Sequence, residues 1–228
     1  MKGLLITLGV LVVLLVAADR VGVLVAEDQV AARVQQQAGL AGEPSVDITG
    51  FPFLTQAGAG RYDDVRIALT ADDLGQPAGT SARVSLQGVR LPLSDVVGGQ
   101  VSQLPVDHVD ARASVPFDLL AAQLGGDTTL TREGDGLRIT KTVEVLGQSV
   151  PLTAAGTVDL DGQDLVVTVD SAAGAGVDVP QFLLDAAQDL LDFRYTLPAL
   201  PFGLQLTGLQ VTGTGVDVTA VADDVVLQ

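Results

Sequence analysis

The feature that most constrains this chain is its start: Met1-Lys2, an apolar run from Leu4 to Ala18, a polar break at Asp19-Arg20, and a second apolar run from Val21 to Ala26. A basic residue followed by about fifteen apolar ones is the pattern of a secretory signal or an N-terminal anchor. The chain is therefore expected to leave the cytoplasm and to work without ATP or NAD(P)H. Residues 1–26 are assigned to a signal peptide or membrane anchor, and residues 27–228 to a single domain. Leu4 to Ala18 is shorter than the ~20 residues a spanning helix needs. It crosses a bilayer only if Val21 to Ala26 extend it, with Asp19 and Arg20 near an interface where charged side chains snorkel. Val16-Ala17-Ala18 is the nearest approach to a cleavage site. Cleavage and retention both stay open at this level.

Charge removes several partners. Twelve Lys and Arg stand against 28 Asp and Glu, a formal net charge of -16. Such a surface repels phosphate backbones, so nucleic acid is excluded as a partner. It also repels anionic headgroups, so membrane contact has to run through apolar surface or the N-terminal segment. With no cysteine there is no disulfide, thiol nucleophile or thiolate metal site. Tryptophan is absent and aromatics are 4%, which leaves little for a sugar-stacking platform.

Alternation dominates after the leader. Val65, Ile67 and Leu69 share one strand face; Leu137, Ile139, Val143 and Val145 share another; Val150, Leu152, Ala154, Val158 and Leu160 a third. Asp161-Gly162 joins the last of these to Leu165, Val167 and Val169 as a hairpin. Ala82, Val84 and Leu86 alternate in one frame, and Val89, Leu91 and Leu93 in the other, so Gly88 marks a bulge or bend. Val106 to Val115, Leu204 to Thr212 and Val216 to Ala220 bring the count to eight or nine antiparallel strands. Helices are fewer. Pro116 opens Phe117 to Leu124, closed by Gly125-Gly126. Pro180 opens Gln181 to Asp192, in which Phe182, Leu183, Leu184, Ala186, Ala187, Leu190 and Leu191 cover a little over half the circumference. That arc is wider than one sheet face requires, so the helix sits in a groove or faces a second apolar object. Glu27 to Ala38 is helix-compatible and can continue the leader as one long helix that Gly39 to Pro44 ends.

Catalytic signatures are weak. His108 is the only histidine, no G-x-S-x-G is present, and alternation puts His108 on the polar face with Asp110, Arg112 and Ser114. The pairs Asp63-Asp64, Asp72-Asp73 and Asp223-Asp224 are neighbours that a strand points to opposite faces, which suits exposed charge better than a general acid and base. Asp159-x-Asp161-Gly162-x-Asp164 has its glycine misplaced for a calcium loop and reads as a hairpin. No catalytic residue, metal site or cofactor is assigned.

Two apolar segments beside turn-formers stand out, Gly50-Phe51-Pro52-Phe53-Leu54 and Leu197 to Leu204. They are either core plugs at the ends of a sheet or the walls of an apolar cavity. On the cavity reading the lipid-contacting residues are Phe51, Phe53, Phe117, Leu120, Leu124, Phe182, Leu183, Ala186, Leu190 and Phe202. An anionic headgroup has Arg61, Arg66, Arg83, Arg90 or Arg112 to choose from, none favoured by spacing.

Thr49-Gly50-Phe51-Pro52-Phe53-Leu54-Thr55-Gln56 with Gly60 to Val65, and Leu197-Pro198 with Pro201 to Leu206 leading to Val211-Thr212, resemble the signature segments of the LmeA-like phospholipid-binding family of actinobacterial envelope proteins. Asp19-Arg20 after an apolar leader also fits. The resemblance implies an α+β fold similar to tubular lipid-binding domains: a long curved antiparallel sheet wrapped around a few amphipathic helices, with an N-terminal apolar helix. It implies a phospholipid-binding protein on the periplasmic face of the envelope, some members being tied to lipoglycan (lipomannan) assembly, and it tilts the N-terminal segment toward a retained inner-membrane anchor. Phospholipid or glycolipid is the expected partner; no protein partner is identified. The alternatives are an accessory or hydrolytic enzyme acting on envelope glycolipid, and a ligand-free structural domain.

Overall fold

Alternating strands and an unbroken apolar helix both appear in the structure, a computed structural model that is α+β with an N-terminal apolar helix, a large antiparallel sheet and a second sheet. Residues 2–92, 103–124, 128–145, 148–162, 164–174, 193–196 and 203–227 are described. By its contacts the chain divides into two units, one of residues 1–75, 83–111 and 222–228, the other of residues 76–82 and 112–221.

Helix α1 runs from Lys2 to Ala38 without a break at Asp19-Arg20. It stops at Gly39, whose φ of +64° is a left-handed conformation that glycine adopts without a steric penalty. Strand β1 (Ser45–Thr49) pairs antiparallel with β2 (Arg61–Leu69), Ser45 opposite Ala68 and Thr49 opposite Asp64. Between them lies the short α2 (Phe53–Ala59). After β2 comes α3 (Ala71–Leu74), capped by Thr70 and Asp73 in a reciprocal capping box. The pattern Thr70-x-x-Asp73 was the local signal for it.

Strands β3 (Ser81–Arg90) and β4 (Leu104–Pro116) follow, and the chain ends with β10 (Gln205–Val211) and β11 (Gly215–Leu227). The larger sheet has the order β1-β2-β3-β4-β11-β10. Leu86 and Val89, three positions apart, are both buried, so the expected change of frame at Gly88 is real. Gly88 has φ +66°, and a Cβ there would collide with the Asp107 carboxylate. That carboxylate is held by Arg61 at 3.0 Å and by Arg90. Backbone geometry and a close approach thus require the same glycine.

The second unit contains a meander of β5 (Thr128–Glu133), β6 (Gly136–Val145), β7 (Gln148–Asp161), β8 (Asp164–Gly174) and β9 (Phe193–Thr196), paired in that order. Asp161 faces Asp164 across the tight turn at Gly162, as the sequence predicts for a hairpin. A bulge lies between Ala155 and Gly156. Opposite it, a Cβ at Gly136 would meet the Gly156 carbonyl. Helix α4 (Phe117–Leu124) begins directly after β4, where the Phe117 N–H donates to the Thr214 carbonyl at 3.0 Å. Pro116 ends the strand rather than entering the helix. Phe117, Leu130, Leu137, Val211 and Val216 form the core of this unit, with Leu120, Ala121, Ile139, Val158, Leu209 and Val218 packed around it. Eleven strands are present among the described residues. The short β1, β5 and β9 are the ones that periodicity missed, because four to six residues carry too little alternation to register.

Candidate functional site

The first candidate surface forms where α1 meets α2. Side chains from Leu4 to Val16 are exposed, and the first buried residue of α1 is Asp19, at 2% exposure. A buried carboxylate needs partners. Its Oδ1 accepts a hydrogen bond from the Leu54 N–H at 2.8 Å, and its Oδ2 pairs with the Arg20 guanidinium at 2.7 Å. Leu54 lies in the first turn of α2, whose N-cap is Pro52, a residue with no side-chain oxygen to cap with. Asp19 therefore supplies from another helix the carboxylate that α2 lacks, also favourable at the positive end of the helix dipole.

The joint is closely packed. A Cβ at Gly22 would lie 3.4 Å from Leu54 Cδ2 and 3.5 Å from the Phe53 ring, which lets the two helices approach. Phe53, 6% exposed, turns inward and meets Tyr62 with ring centroids 6.1 Å apart. Phe51 points outward, 64% exposed, with Arg20 5.2 Å from its ring centroid, a cation–π contact. Further along α1, Glu27 accepts from the Ile48 N–H at 2.8 Å and ties the helix to β1. Gln56 joins α2 to both strands, donating to the Thr49 carbonyl at 3.1 Å and accepting from the Asp63 N–H at 2.9 Å.

The second candidate surface is the apolar face of the meander. Leu137, Ile139, Ala154 and Val158 line a hollow of only about 10 Å³ on β6 and β7. A larger hollow of about 260 Å³ is bordered by Ser81, Ser114, Thr212 and Thr214, a polar rim rather than an acyl-chain wall. Of the predicted lipid contacts, Phe117 and Leu120 come together here, in the core cluster of α4 and the meander, and Leu124 closes α4. Phe51 and Phe53 belong to the other unit. Phe182, Leu183, Ala186, Leu190 and Phe202 lie outside the described residues, as does the predicted helix of Pro180 to Asp192.

Among the arginines considered for a headgroup, Arg61 and Arg90 share Asp107, and Arg66 pairs with Asp64 at 2.7 Å. Arg83 and Arg112 are exposed. His108 is less solvated than its place on the polar face suggested. Its Nδ1 lies 2.5 Å from Asp223 and its Nε2 3.3 Å from Asp110, so both ring nitrogens face carboxylates. The hydrogen bond to Asp223 is the largest cause of a raised pKa; desolvation comes next and opposes it, and the attraction of Asp110 and Asp223 adds to the rise. Two facing carboxylates favour the protonated ring, an arrangement that suits an ion pair better than a general base.

A pH dependence follows. Because the folded pKa exceeds the unfolded value of about 6.5, the His108 contribution is complete below that pH and is lost as pH rises through the folded pKa. Urea midpoints of the parent and His108→Gln should differ most below about pH 6.5 and converge as the pH rises through the folded pKa. A gap that does not change with pH would show that His108 acts through packing alone.

The sequence did not point to Asp19 as a helix cap; Asp19-Arg20 reads locally as a polar break. The available signal was a proline-headed helix with no capping residue of its own. No curated protein and no solved structure matches the chain. The sequence profile of LmeA-like phospholipid-binding proteins matches residues 17–221, which takes in Asp19, the α1–α2 joint and the meander. The chain therefore belongs to the LmeA-like phospholipid-binding family.

Proposed function

We propose that this protein binds a phospholipid through its apolar surfaces and carries or presents it at the periplasmic face of the cell envelope, supporting lipoglycan assembly, with α1 retained as an inner-membrane anchor. The observation that carries the reading is the family match over residues 17–221. Two structural features support it. The meander offers an apolar face to which α4 contributes Phe117 and Leu120. The first part of α1 is apolar and exposed, and the helix as a whole is long and apolar enough to cross a membrane. Retention is favoured because α1 passes through Ala18 as unbroken helix and Asp19 is built into the fold just after it.

In this proposal the acyl chains lie against Leu124, Phe182, Leu183, Ala186, Leu190 and Phe202, with Phe117 and Leu120 backing them. Burial of acyl CH₂ groups, worth about 0.8 kcal/mol each, holds the lipid without special chemistry. The test is uptake of fluorescent phosphatidylcholine by delipidated full-length protein in nonionic detergent, with mass spectrometry of the lipid that co-purifies. Leu190→Asp places a carboxylate in the apolar arc and is expected to reduce uptake roughly tenfold or more, given what an unpaired charge costs in an apolar site. Undiminished uptake by folded Leu190→Asp removes that segment from the site. Failure of the parent protein to bind any phospholipid ends the lipid reading.

A further inference from the structure

The length of α1 raises a question of fit. From Lys2 to Ala18 the helix rises roughly 25 Å, short of the ~30 Å hydrocarbon core. From Lys2 to Val25 it rises roughly 36 Å, which is sufficient. A bilayer that α1 crosses therefore reaches past Asp19 to the level of Val21, Leu24 and Val25, all of which are exposed. This is the level at which α2 is fastened to α1.

The structure makes that depth tolerable. Asp19 is shielded from surrounding lipid by its burial, its bond to the Leu54 N–H and its pairing with Arg20. Arg20 remains half exposed and is long enough to reach phosphate. Phe51 and Leu54, 64% and 46% exposed, flank the same joint and continue the apolar surface of α1 onto the folded unit. A scattered exposed phenylalanine is ordinary. One next to a buried acid–arginine pair on an apolar helix, at the depth where that helix leaves the hydrocarbon, is not.

We propose that Phe51 and Leu54, with the Arg20 guanidinium, form a wedge that enters the headgroup–acyl boundary of the bilayer crossed by α1 and seats the first unit on that surface. This rests on the anchor reading above. The occupant is the lipid surface itself: the wedge is continuous with the apolar face of α1, and the net charge of -16 leaves apolar contact as the favoured mode of adhesion. The wedge fixes the height and orientation of the first unit above the membrane, which α1 alone, free to tilt and rotate, leaves undetermined.

The chain has no tryptophan, so a single one is a clean reporter. Full-length Leu8→Trp, Phe51→Trp and Gln36→Trp would each be reconstituted in phosphatidylcholine vesicles with or without bromine near the headgroup end of the acyl chains. Gln36 is an exposed residue of α1 roughly 25 Å beyond Asp19 and should stay in water. The expected result is blue-shifted emission and roughly two-fold or greater quenching for Leu8→Trp and Phe51→Trp, and neither for Gln36→Trp. Quenching at Leu8→Trp without quenching at Phe51→Trp overturns the wedge and leaves the anchor standing. Absence of quenching at Leu8→Trp overturns both. Adding Leu54→Ser to Phe51→Trp should reduce the quenching; if it leaves quenching unchanged, Leu54 is not part of the wedge.

Discussion

Phe117→Ala is expected to lower the stability of the lipid-free protein by about 3–5 kcal/mol, the usual cost of emptying an aromatic site in a packed core. Phe117 is 7% exposed and lies in the cluster of Leu130, Leu137, Val211 and Val216, with Leu120 and Ala121 from its own helix alongside. Four strands and α4 meet there, so no single neighbour can move to fill the space. The loss is a large fraction of the roughly 5–15 kcal/mol that ordinarily separates folded from unfolded chains. Chemical unfolding in nonionic detergent, with and without phospholipid, is the measurement. It also tests the expectation from sequence that Phe117 contacts lipid. A core plug weakens the lipid-free protein, whereas a side chain packed mainly against ligand weakens only the loaded one. Equal stability of lipid-free parent and variant would contradict the packing described above.

Gly60→Ala should be the most damaging of the glycine substitutions at helix ends, costing about 3 kcal/mol from a left-handed residue and overpacking together. Gly60 ends α2 with φ +65°, and its carbonyl accepts the Leu91 N–H at 2.9 Å. A Cβ there would lie 2.8 Å from Pro92 Cα and 3.2 Å from the Leu91 carbonyl oxygen. These are backbone atoms and cannot rotate away. Gly39, at the end of α1, has nearly the same φ, +64°, but a methyl group placed on it would have nothing within 4 Å. Gly39→Ala should therefore cost only the conformational part, about 1 kcal/mol. Comparing the two by urea unfolding isolates the steric contribution, and equal losses would mean that the loop at Leu91 does not press on Gly60.

Both residues illustrate what local pattern can and cannot convey. The helix from Phe117 was legible, though Pro116 belongs to the strand before it, and so was the strand that carries Val65, Ile67 and Leu69, because each depends on the conformations available to neighbouring residues. The reason Gly60 must be glycine was not legible, since it depends on Pro92, which arrives from a different turn. Phe51 and Phe53 make the contrast within three residues. Their composition and context are alike, yet one is exposed and the other buried, because only Phe53 starts a helix that docks on Gly22 of α1. His108 was read as one of a polar row on its own strand. Its shorter contact is to Asp223, a carboxylate 115 positions away that no spacing rule connects to it.

The candidate site divides in the same way. Family membership and the expectation of lipid binding came from short segments that keep their identity in one dimension. The α+β class, the Gly162 hairpin and the frame change at Gly88 were also set by sequence alone, because periodicity and glycine or proline geometry act over a few bonds; the sequence allowed the leader to continue as helix to Ala38, and the structure shows that it does. The tertiary structure alone decided that Asp19 caps a helix 35 positions later, that Glu27 holds β1, and that Phe51 and Leu54 continue the apolar surface of α1. Those outcomes depend on which distant groups meet as the backbone closes. A buried carboxylate finds the nearest unsatisfied N–H in space, and sequence distance has no bearing on which one that is.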